Sequence, residues 1–203
     1  FEKHVAQAGA ILYTVEVAFG QRHFAITSSD NPRHLQLRSS SELWLKENSL
    51  NLLIERLPAN WQKVAWVDAD IQFARDDWAN ETLHMLEHYD LVQMWSMADD
   101  LGPNYEVMQR HRSFVASYEL DLPLPETCYS GDEGSVINEF HPGFAWAARR
   151  TAINQLGGLI DFAILGAADN HMARGLFGLA DRGIHQDIGE RYRQMVLRWQ
   201  DRA

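Results

Sequence analysis

Two aspartates that follow a short apolar run are the strongest chemical signal in the sequence. Asp68 and Asp70 are separated by one residue and come directly after the run 64–67. On an extended segment, positions i and i+2 point the same way, so both carboxylates can approach one ligand. Adjacent carboxylates repel each other unless a cation sits beside them, and Mg²⁺ or Mn²⁺ prefers oxygen ligands and often binds substrate phosphates as well. The pair therefore predicts a Mn²⁺ or Mg²⁺ site with a phosphate-bearing ligand, against the plainer alternative of a turn with a solvated Asp70.

Another acidic residue and several histidines are candidates to complete such a site. Asp169 precedes an amphipathic segment, where it could cap a helix or act as a general base that deprotonates an acceptor hydroxyl. His171 and His185 are the preferred candidates for a metal-binding histidine, with His141 as a third. A single histidine is more often structural than a ligand, so that alternative stays open at each position.

Strands that alternate with helices must position these residues. The run 64–67 predicts a central strand that is buried on both faces and ends at Asp68. The alternation along the chain predicts an α/β layered domain with a largely parallel sheet. In such sheets the ligand lies beyond the carboxyl ends of the strands, which is where Asp68 and Asp70 fall.

Apolar periodicity and turn residues predict the remaining elements. A helix over about 43–57 is expected after a capping box formed by Ser39 and Glu42, with Leu43 and Trp44 in its apolar pattern. Segments 99–104 and 121–140 are expected to be loops, the second long enough to serve as a lid or binding loop. Strands are expected at 10–17 and 23–27, joined by a turn, and at 91–95 and 144–148; helices are expected at 78–88, 151–156, 170–179 and 188–199.

Two blocks of the sequence together resemble glycosyltransferases of the GT-A type. In that family a helix bearing Lys and Asn precedes a buried strand ending in D-x-D, and the stretch 42–73 is similar. The second block, which comprises 141–147, 156–159 and 165–169, resembles the acceptor-side motif of β-1,4-galactosyltransferase-like and polypeptide N-acetylgalactosaminyltransferase-like enzymes. There a glycine-rich turn leads to an acidic residue at the start of a helix. The residues at matching places in the first block are Lys46, Asn48, Asn51, Asp68 and Asp70.

The resemblance implies a single GT-A domain over residues 1–203, of a bacterial or phage-type member. Its fold would be a Rossmann-like three-layer domain with a mainly parallel central sheet. Two departures stand out. Only Asp169 remains of the acidic pair in the galactosyltransferase pattern, because Ala168 occupies the other place. The strand that normally opens the fold and holds the nucleotide base is not seen before Phe1, so the chain is expected to be a fragment that lacks its N-terminal strand.

The activity implied by the resemblance is transfer of a sugar from a nucleotide-sugar, by default a UDP-sugar, to the hydroxyl of a glycan or other acceptor. Asp68 and Asp70 would hold the metal and the donor, Lys46 and Asn51 would contact the donor, and His185 or His171 would complete the metal shell. Asp169 would be the base, which implies inversion at the anomeric carbon.

Smaller expectations concern the sugar itself. The turn at 141–143 would let the backbone approach the sugar, and one exposed aromatic near the site could stack on an acceptor sugar, although the sequence does not identify it. Trp95 and Trp146 are expected in the core.

Two alternatives to a transferase remain at this point. A haloacid-dehalogenase-like phosphohydrolase also places D-x-D after a strand, although Gln72 stands where such enzymes usually have Thr or Val. A non-catalytic sugar-binding module on the same fold would keep the pattern without the activity. A covalent aspartyl-phosphate on Asp68 would indicate the phosphohydrolase, and hydrolysis of or transfer from a nucleotide-sugar would exclude the non-catalytic module.

Composition limits the classes of partner. The formal net charge of −10 argues against a nucleic-acid binder, which needs a basic face. No apolar run approaches the roughly 20 residues of a membrane span. The one cysteine, Cys128, excludes an internal disulfide and fits a reducing compartment, so a cytoplasmic location is expected.

Overall fold

The structure, a computed structural model, describes residues 1–126 and 136–203. Helices and strands alternate through both ranges, so the fold is mixed α/β, as predicted. The helices are α1 (Glu2–Gln7), α2 (Lys46–Ile54), α3 (Trp78–His88), α4 (Phe114–Glu119), α5 (Arg150–Leu156), α6 (Ala168–Leu176) and α7 (Glu190–Gln200), with a 3-10 turn at Ala180–Gly183. The strands are β1 (Thr14–Phe19), β2 (His34–Ser39), β3 (Lys63–Val67), β4 (Leu91–Gln93), β5 (Met97–Leu101), β6 (Val107–Ser113), β7 (Ile137–His141) and β8 (Ala145–Arg149). Cys128 lies outside the described residues, as does the middle of the expected loop 121–140.

The sheet that contains the strand before Asp68 is antiparallel. Its order is β3–β8–β4, and both outer strands run antiparallel to β8. The expected mainly parallel arrangement is therefore wrong for this sheet, although β1 with β2 and β6 with β7 do pair in parallel. An apolar run specifies a strand but not the direction of its neighbour. Burial of β3 on both faces is also wrong, because β3 lies at an edge of this sheet and Ala65 is exposed while Trp66 is buried.

The strand expected at 23–27 does not form, for a local electrostatic reason. The backbone N–H groups of Ala25 and Thr27 donate to the Glu16 carboxylate at 2.7 Å, and that of Ile26 does so at 3.1 Å. Donors used in this way are not available to a strand ladder. Strand β1 pairs instead with β2, in parallel.

Helix α2 begins later than the capping-box pattern predicts. Ser39 is the last residue of β2, and its hydroxyl donates to the carbonyl of Ser41. The N-cap of α2 is Leu45, without a side-chain cap. The strand pairing of Ser39 has therefore overridden a local helix signal, and it leaves Leu43 and Trp44 ahead of the helix, both partly exposed to solvent.

Other elements agree more closely with the sequence. Helix α3 has the predicted bounds, and α5 ends, as expected, where Gly157 adopts a left-handed conformation (φ 74°). Strand β5 takes up 99–101 of the expected loop 99–104, whose remaining residues do form a turn, and β7 begins within the expected loop 121–140. Within the two described ranges, no helix has the length and apolar character needed to cross a bilayer.

The main core fills the space between the β3–β8–β4 sheet and helices α5, α6 and α7. Trp146 is buried as predicted, and its indole N–H donates to the Pro142 carbonyl at 2.7 Å. Trp199 of α7 similarly donates to the Gly158 carbonyl at 2.9 Å. Because buried indoles with satisfied N–H groups pack rigidly, they fix the turns at 142–143 and 157–159 relative to the sheet.

Candidate active site

The carboxyl end of β3 meets the amino end of α2. Lys46, the first residue of α2, forms an ion pair with Asp68, and each side chain is only about a quarter exposed, at 27% and 28%. A lysine at a helix N-terminus is unfavourable next to the helix dipole, so the carboxylate offsets a local cost. The backbone N–H of Asp68 donates to the Phe144 carbonyl at 2.9 Å, which ties this end of β3 to the start of β8.

Asp169 reaches the same region from α6. It is not the N-cap, which is Ala167, but lies in the first turn, and its carboxylate accepts the backbone N–H of Asn170 at 2.8 Å. A β-carbon added to Gly143 would lie 3.0 Å from Asp169 Oδ2 and 3.2 Å from His141 Cε1. Glycine at position 143 therefore leaves the space that Asp169 and His141 share.

Acidic groups outnumber cations in this cluster. Burial raises the pKa of Asp169, the negative charge of Asp68 raises it further, and Lys46 opposes the shift. Burial likewise raises the pKa of Glu47, with Asp169 contributing in the same direction and Lys46 against it. Three carboxylates thus interact electrostatically with one lysine. Acids whose pKa values are shifted in this way are characteristic of functional sites. We call Lys46, Glu47, Asp68 and Asp169 the carboxylate cluster.

A histidine and aromatic group lines the side of the cluster next to Gly143. His141 stacks on Phe144 with ring centroids 4.0 Å apart, and the His111 ring lies 4.7 Å from it. Burial and then the neighbouring His111 lower the pKa of His141 to about 4, so its imidazole is neutral near pH 7. His111 Nε2 lies 2.9 Å from Asp100 Oδ2.

Trp95, expected in the core, is partly exposed and belongs to this group as well. Its indole N–H donates to the Gly143 carbonyl at 3.2 Å, and its ring lies 5.0 Å from Phe144. The tryptophan therefore fixes the turn that faces Asp169.

Backbone strain concentrates around the cluster. Three non-glycine residues near it have positive φ: Phe140 at 57°, Phe144 at 75° and Ala167 at 67°. The first two flank the turn 141–143, and the third immediately precedes α6. Such conformations cost on the order of 1–3 kcal/mol each and collect at functional sites. The strain supports a functional role for the turn and for Asp169.

The predicted metal ligands are only partly brought together. The described residues contain no group of three or more His, Cys, Asp or Glu side chains placed to hold a metal ion. Asp70 is exposed, and its carboxylate forms no hydrogen bond or ion pair with residues 1–126 or 136–203. One or two carboxylates are what a Mg²⁺-type ion requires when substrate phosphates supply further oxygens. Asp68 and Asp70 fit that donor set.

The two histidines that the sequence favours as metal ligands, His171 and His185, make contacts with residues other than Asp68 and Asp70. His171 is buried in α6 with its ring 5.7 Å from that of Tyr192, and burial followed by the nearby Arg174 lowers its pKa to about 4. His185 is exposed and lies 3.5 Å from Asp187. Neither contact places the imidazole beside Asp68 or Asp70, and metal binding by either histidine stays a prediction.

Asn51 has a structural role in the described residues. Its amide nitrogen donates to the Leu159 carbonyl at 3.0 Å, and its amide oxygen accepts the Leu159 N–H at 2.9 Å. A β-carbon at Gly158 would lie 2.9 Å from the Asn51 oxygen. Asn51 thus holds α2 against the glycine turn, and donor contact by this residue stays a prediction.

Sequence reasoning missed four members of the site region: Trp44, Glu47, Asp100 and His111. The indole N–H of Trp44 donates to Glu47 Oε2 at 2.9 Å. The W-x-x-E spacing is the only local signal for that pair, and it is weak. Asp100 and His111 meet across the β5–β6 hairpin, and Asp100 lies in the segment 99–104 that was expected to be a loop.

Comparisons of the chain with protein-family models, with curated proteins and with solved structures gave no match. The geometry of the cluster is therefore the basis for assigning a function.

Proposed function

We propose that this protein is a metal-dependent glycosyltransferase of the GT-A type that moves a sugar from a nucleotide-sugar to an acceptor hydroxyl. The observation that supports the proposal most is the convergence of Asp68 and Asp169 around Lys46. These residues come from a strand end and a helix start that are far apart in the chain. They are also the residues that the resemblance assigns to the donor and to the acceptor.

Each residue has a distinct role in this reaction. Asp68 and Asp70 would hold a Mn²⁺ or Mg²⁺ ion, and such an ion would supply positive charge to neutralise the diphosphate leaving group. The acceptor oxygen bonds to the anomeric carbon as the bond from that carbon to the phosphate oxygen breaks. Asp169 takes the hydroxyl proton, and attack from the face opposite the leaving group inverts the anomeric configuration.

The environment of Asp169 suits a general base. A base works best when its pKa approaches the working pH, and burial raises the pKa of this carboxyl above its ordinary value. Gly143 keeps the space in front of Oδ2 open, so an acceptor hydroxyl has room to approach. Lys46 supplies a positive charge beside Asp68, where the donor phosphates are expected.

Binding of UDP provides the test. We expect calorimetry to detect UDP binding that requires Mn²⁺ and is lost in Asp70→Asn. Asp76→Asn is the matched control, because Asp76 is also exposed and lies outside the motif. Mn²⁺-dependent binding that survives in Asp70→Asn would contradict the assignment, as would a lack of UDP binding in the unaltered protein. Phosphorylation of Asp68 during phosphomonoester hydrolysis would favour the phosphohydrolase.

A further inference from the structure

Trp44 is an exposed tryptophan held in a fixed orientation beside the carboxylate cluster. The side chain is half exposed, at 50%. Its backbone N–H donates to the Ile164 carbonyl at 2.9 Å, and its indole N–H donates to the buried Glu47 carboxylate, also at 2.9 Å. Exposing so large an apolar ring forgoes the stabilisation that burial would give. One hydrogen bond fixes the backbone of Trp44 and the other fixes its ring, while the ring surface stays open to solvent, and this combination indicates a binding role.

The surroundings of Trp44 extend the apolar surface. Leu43, Ile164 and Leu165 are 40%, 46% and 91% exposed. The hydrogen bond from Trp44 to Ile164 brings segments 43–44 and 164–165 together, and the second segment leads through Ala167 into α6 and Asp169. We call Trp44, Ile164 and Leu165 the indole platform.

The platform adjoins the acid groups of the site. Glu47, which accepts the indole N–H, lies close enough to Asp169 for the negative charge of Asp169 to raise the pKa of Glu47. A ligand resting on the platform would therefore meet hydrogen-bond acceptors on the Asp169 side. Since the indole N–H is already used, the ring offers its apolar face.

We propose that the indole platform binds the acceptor, and that the acceptor is a neutral saccharide. This inference rests on the proposed function. A pyranose ring has a face of C–H bonds surrounded by hydroxyl groups, so it matches an apolar indole face next to carboxylate acceptors. The surplus of carboxylates disfavours an anionic sugar or an anionic lipid surface. Stacking of one ring on Trp44 would direct a hydroxyl towards Asp169.

Saturation-transfer NMR with defined saccharides tests the platform. The probes are methyl β-glycosides of lactose, cellobiose and chitobiose, together with methyl β-maltoside. We expect at least one to bind and to receive saturation most strongly at its ring C–H protons. Trp44→Ala should weaken that binding by about 3- to 10-fold, as expected for loss of one aromatic contact, while Trp44→Phe retains most of it.

Two further variants separate a binding role from a folding role. Tyr89→Ala is the matched control, because Tyr89 is 56% exposed and directly follows α3 as its C-cap, away from the platform in the sequence. It should leave saccharide binding unchanged. Leu165→Ser alters a side chain that is 91% exposed, so it cannot disturb the core, and it should weaken binding by a smaller factor than Trp44→Ala.

Measuring UDP binding in the presence of Mn²⁺ on the same variants tests this inference separately from the proposed function. Intact UDP binding with weakened saccharide binding in Trp44→Ala supports both. Trp44-dependent saccharide binding without any UDP binding keeps the platform and refutes the transferase. UDP binding with no bound probe, or with saccharide binding indifferent to Trp44 and Leu165, overturns the platform. Loss of a dimer in Trp44→Ala by sedimentation would also overturn it, because the face would then be a self-interface.

Discussion

The two ends of strand β3 each have a lysine paired with a carboxylate, yet they differ in charge balance. At the amino end, Lys63 pairs with Glu87 of α3, whose side chain is 63% exposed, and the hydrogen bond from Lys63 lowers the pKa of Glu87. At the carboxyl end, Lys46 pairs with Asp68, and burial raises the pKa values of the nearby Asp169 and Glu47. The amino end has a matched pair whose lysine is 25% exposed and whose carboxylate is mostly in solvent, while the carboxyl end holds a surplus of partly buried acids.

This difference in charge balance distinguishes a structural ion pair at the amino end from a candidate functional site at the carboxyl end. Exposed ion pairs contribute little to stability and demand little of their surroundings. Buried acids with raised pKa values are unfavourable for folding near neutral pH, and proteins keep such groups where activity needs them. Because the two pairs lie at opposite ends of one strand, each end can serve as a control for the other.

The largest expected effect is on turnover. Asp169→Asn removes the proposed base with almost no change in shape, so transfer from a UDP-sugar should fall by about 100-fold or more. UDP binding with Mn²⁺ should persist, because the donor side is unchanged. Glu87→Gln makes the equivalent change at the other end and should leave turnover unaltered. Release of UDP from the nucleotide-sugar measures both variants, and equal rates in the unaltered protein and Asp169→Asn would rule out the base assignment.

Stability should respond differently when the lysine is removed from each end. Lys46→Met takes away the cation that offsets the carboxylate cluster, so we expect a loss of about 1–3 kcal/mol in the free energy of unfolding at pH 7. Lys63→Met leaves behind a carboxylate, Glu87, that is 63% exposed and can be hydrated instead, so it should change the unfolding midpoint less. Urea titration of both variants gives the comparison. A larger loss in Lys63→Met would mean that the amino end, not the carboxyl end, depends on its lysine.

The sequence predicted these residues unevenly, for physical reasons. The apolar run before Asp68 and the amphipathic segment after Asp169 are local signals, and they correctly predicted a strand and a helix at those places. Trp44 and Glu47 were missed because the capping-box pattern placed the helix start too early, whereas the pairing of β2 with β1 retains Ser39 in a strand. Sheet direction was also missed, since β8 enters antiparallel through a turn that local patterns do not encode. The remaining parts of the site depend on side-chain contacts between segments that are distant in the sequence, and local patterns do not predict such contacts.

The smallest expected effect is on thermal stability as a function of pH. Removing a carboxylate charge should change the unfolding temperature in opposite directions at the two ends of β3. The folded pKa of Asp169 is raised above its ordinary value of 3.8, so the native protein retains this proton at pH values where the unfolded chain has lost it. The associated stability is present below pH 3.8 and is lost as pH rises through the folded pKa. Asp169→Asn should therefore unfold at a higher temperature than the unaltered protein near pH 7, with a difference that shrinks on acidification.

Glu87 should behave in the opposite way. Its folded pKa is lowered, so its contribution is present above the ordinary value of 4.5 and is lost as pH falls through the folded pKa. Glu87→Gln should thus unfold at a slightly lower temperature near pH 7, again with a difference that shrinks on acidification. His141 and His171, whose pKa values are lowered to about 4, titrate in both variants and in the unaltered protein, so their effect cancels from each difference. Thermal unfolding in chelator from pH 3 to pH 7 measures both curves, and differences of the same sign at the two ends would show that the surplus of acid at the carboxyl end has no energetic consequence.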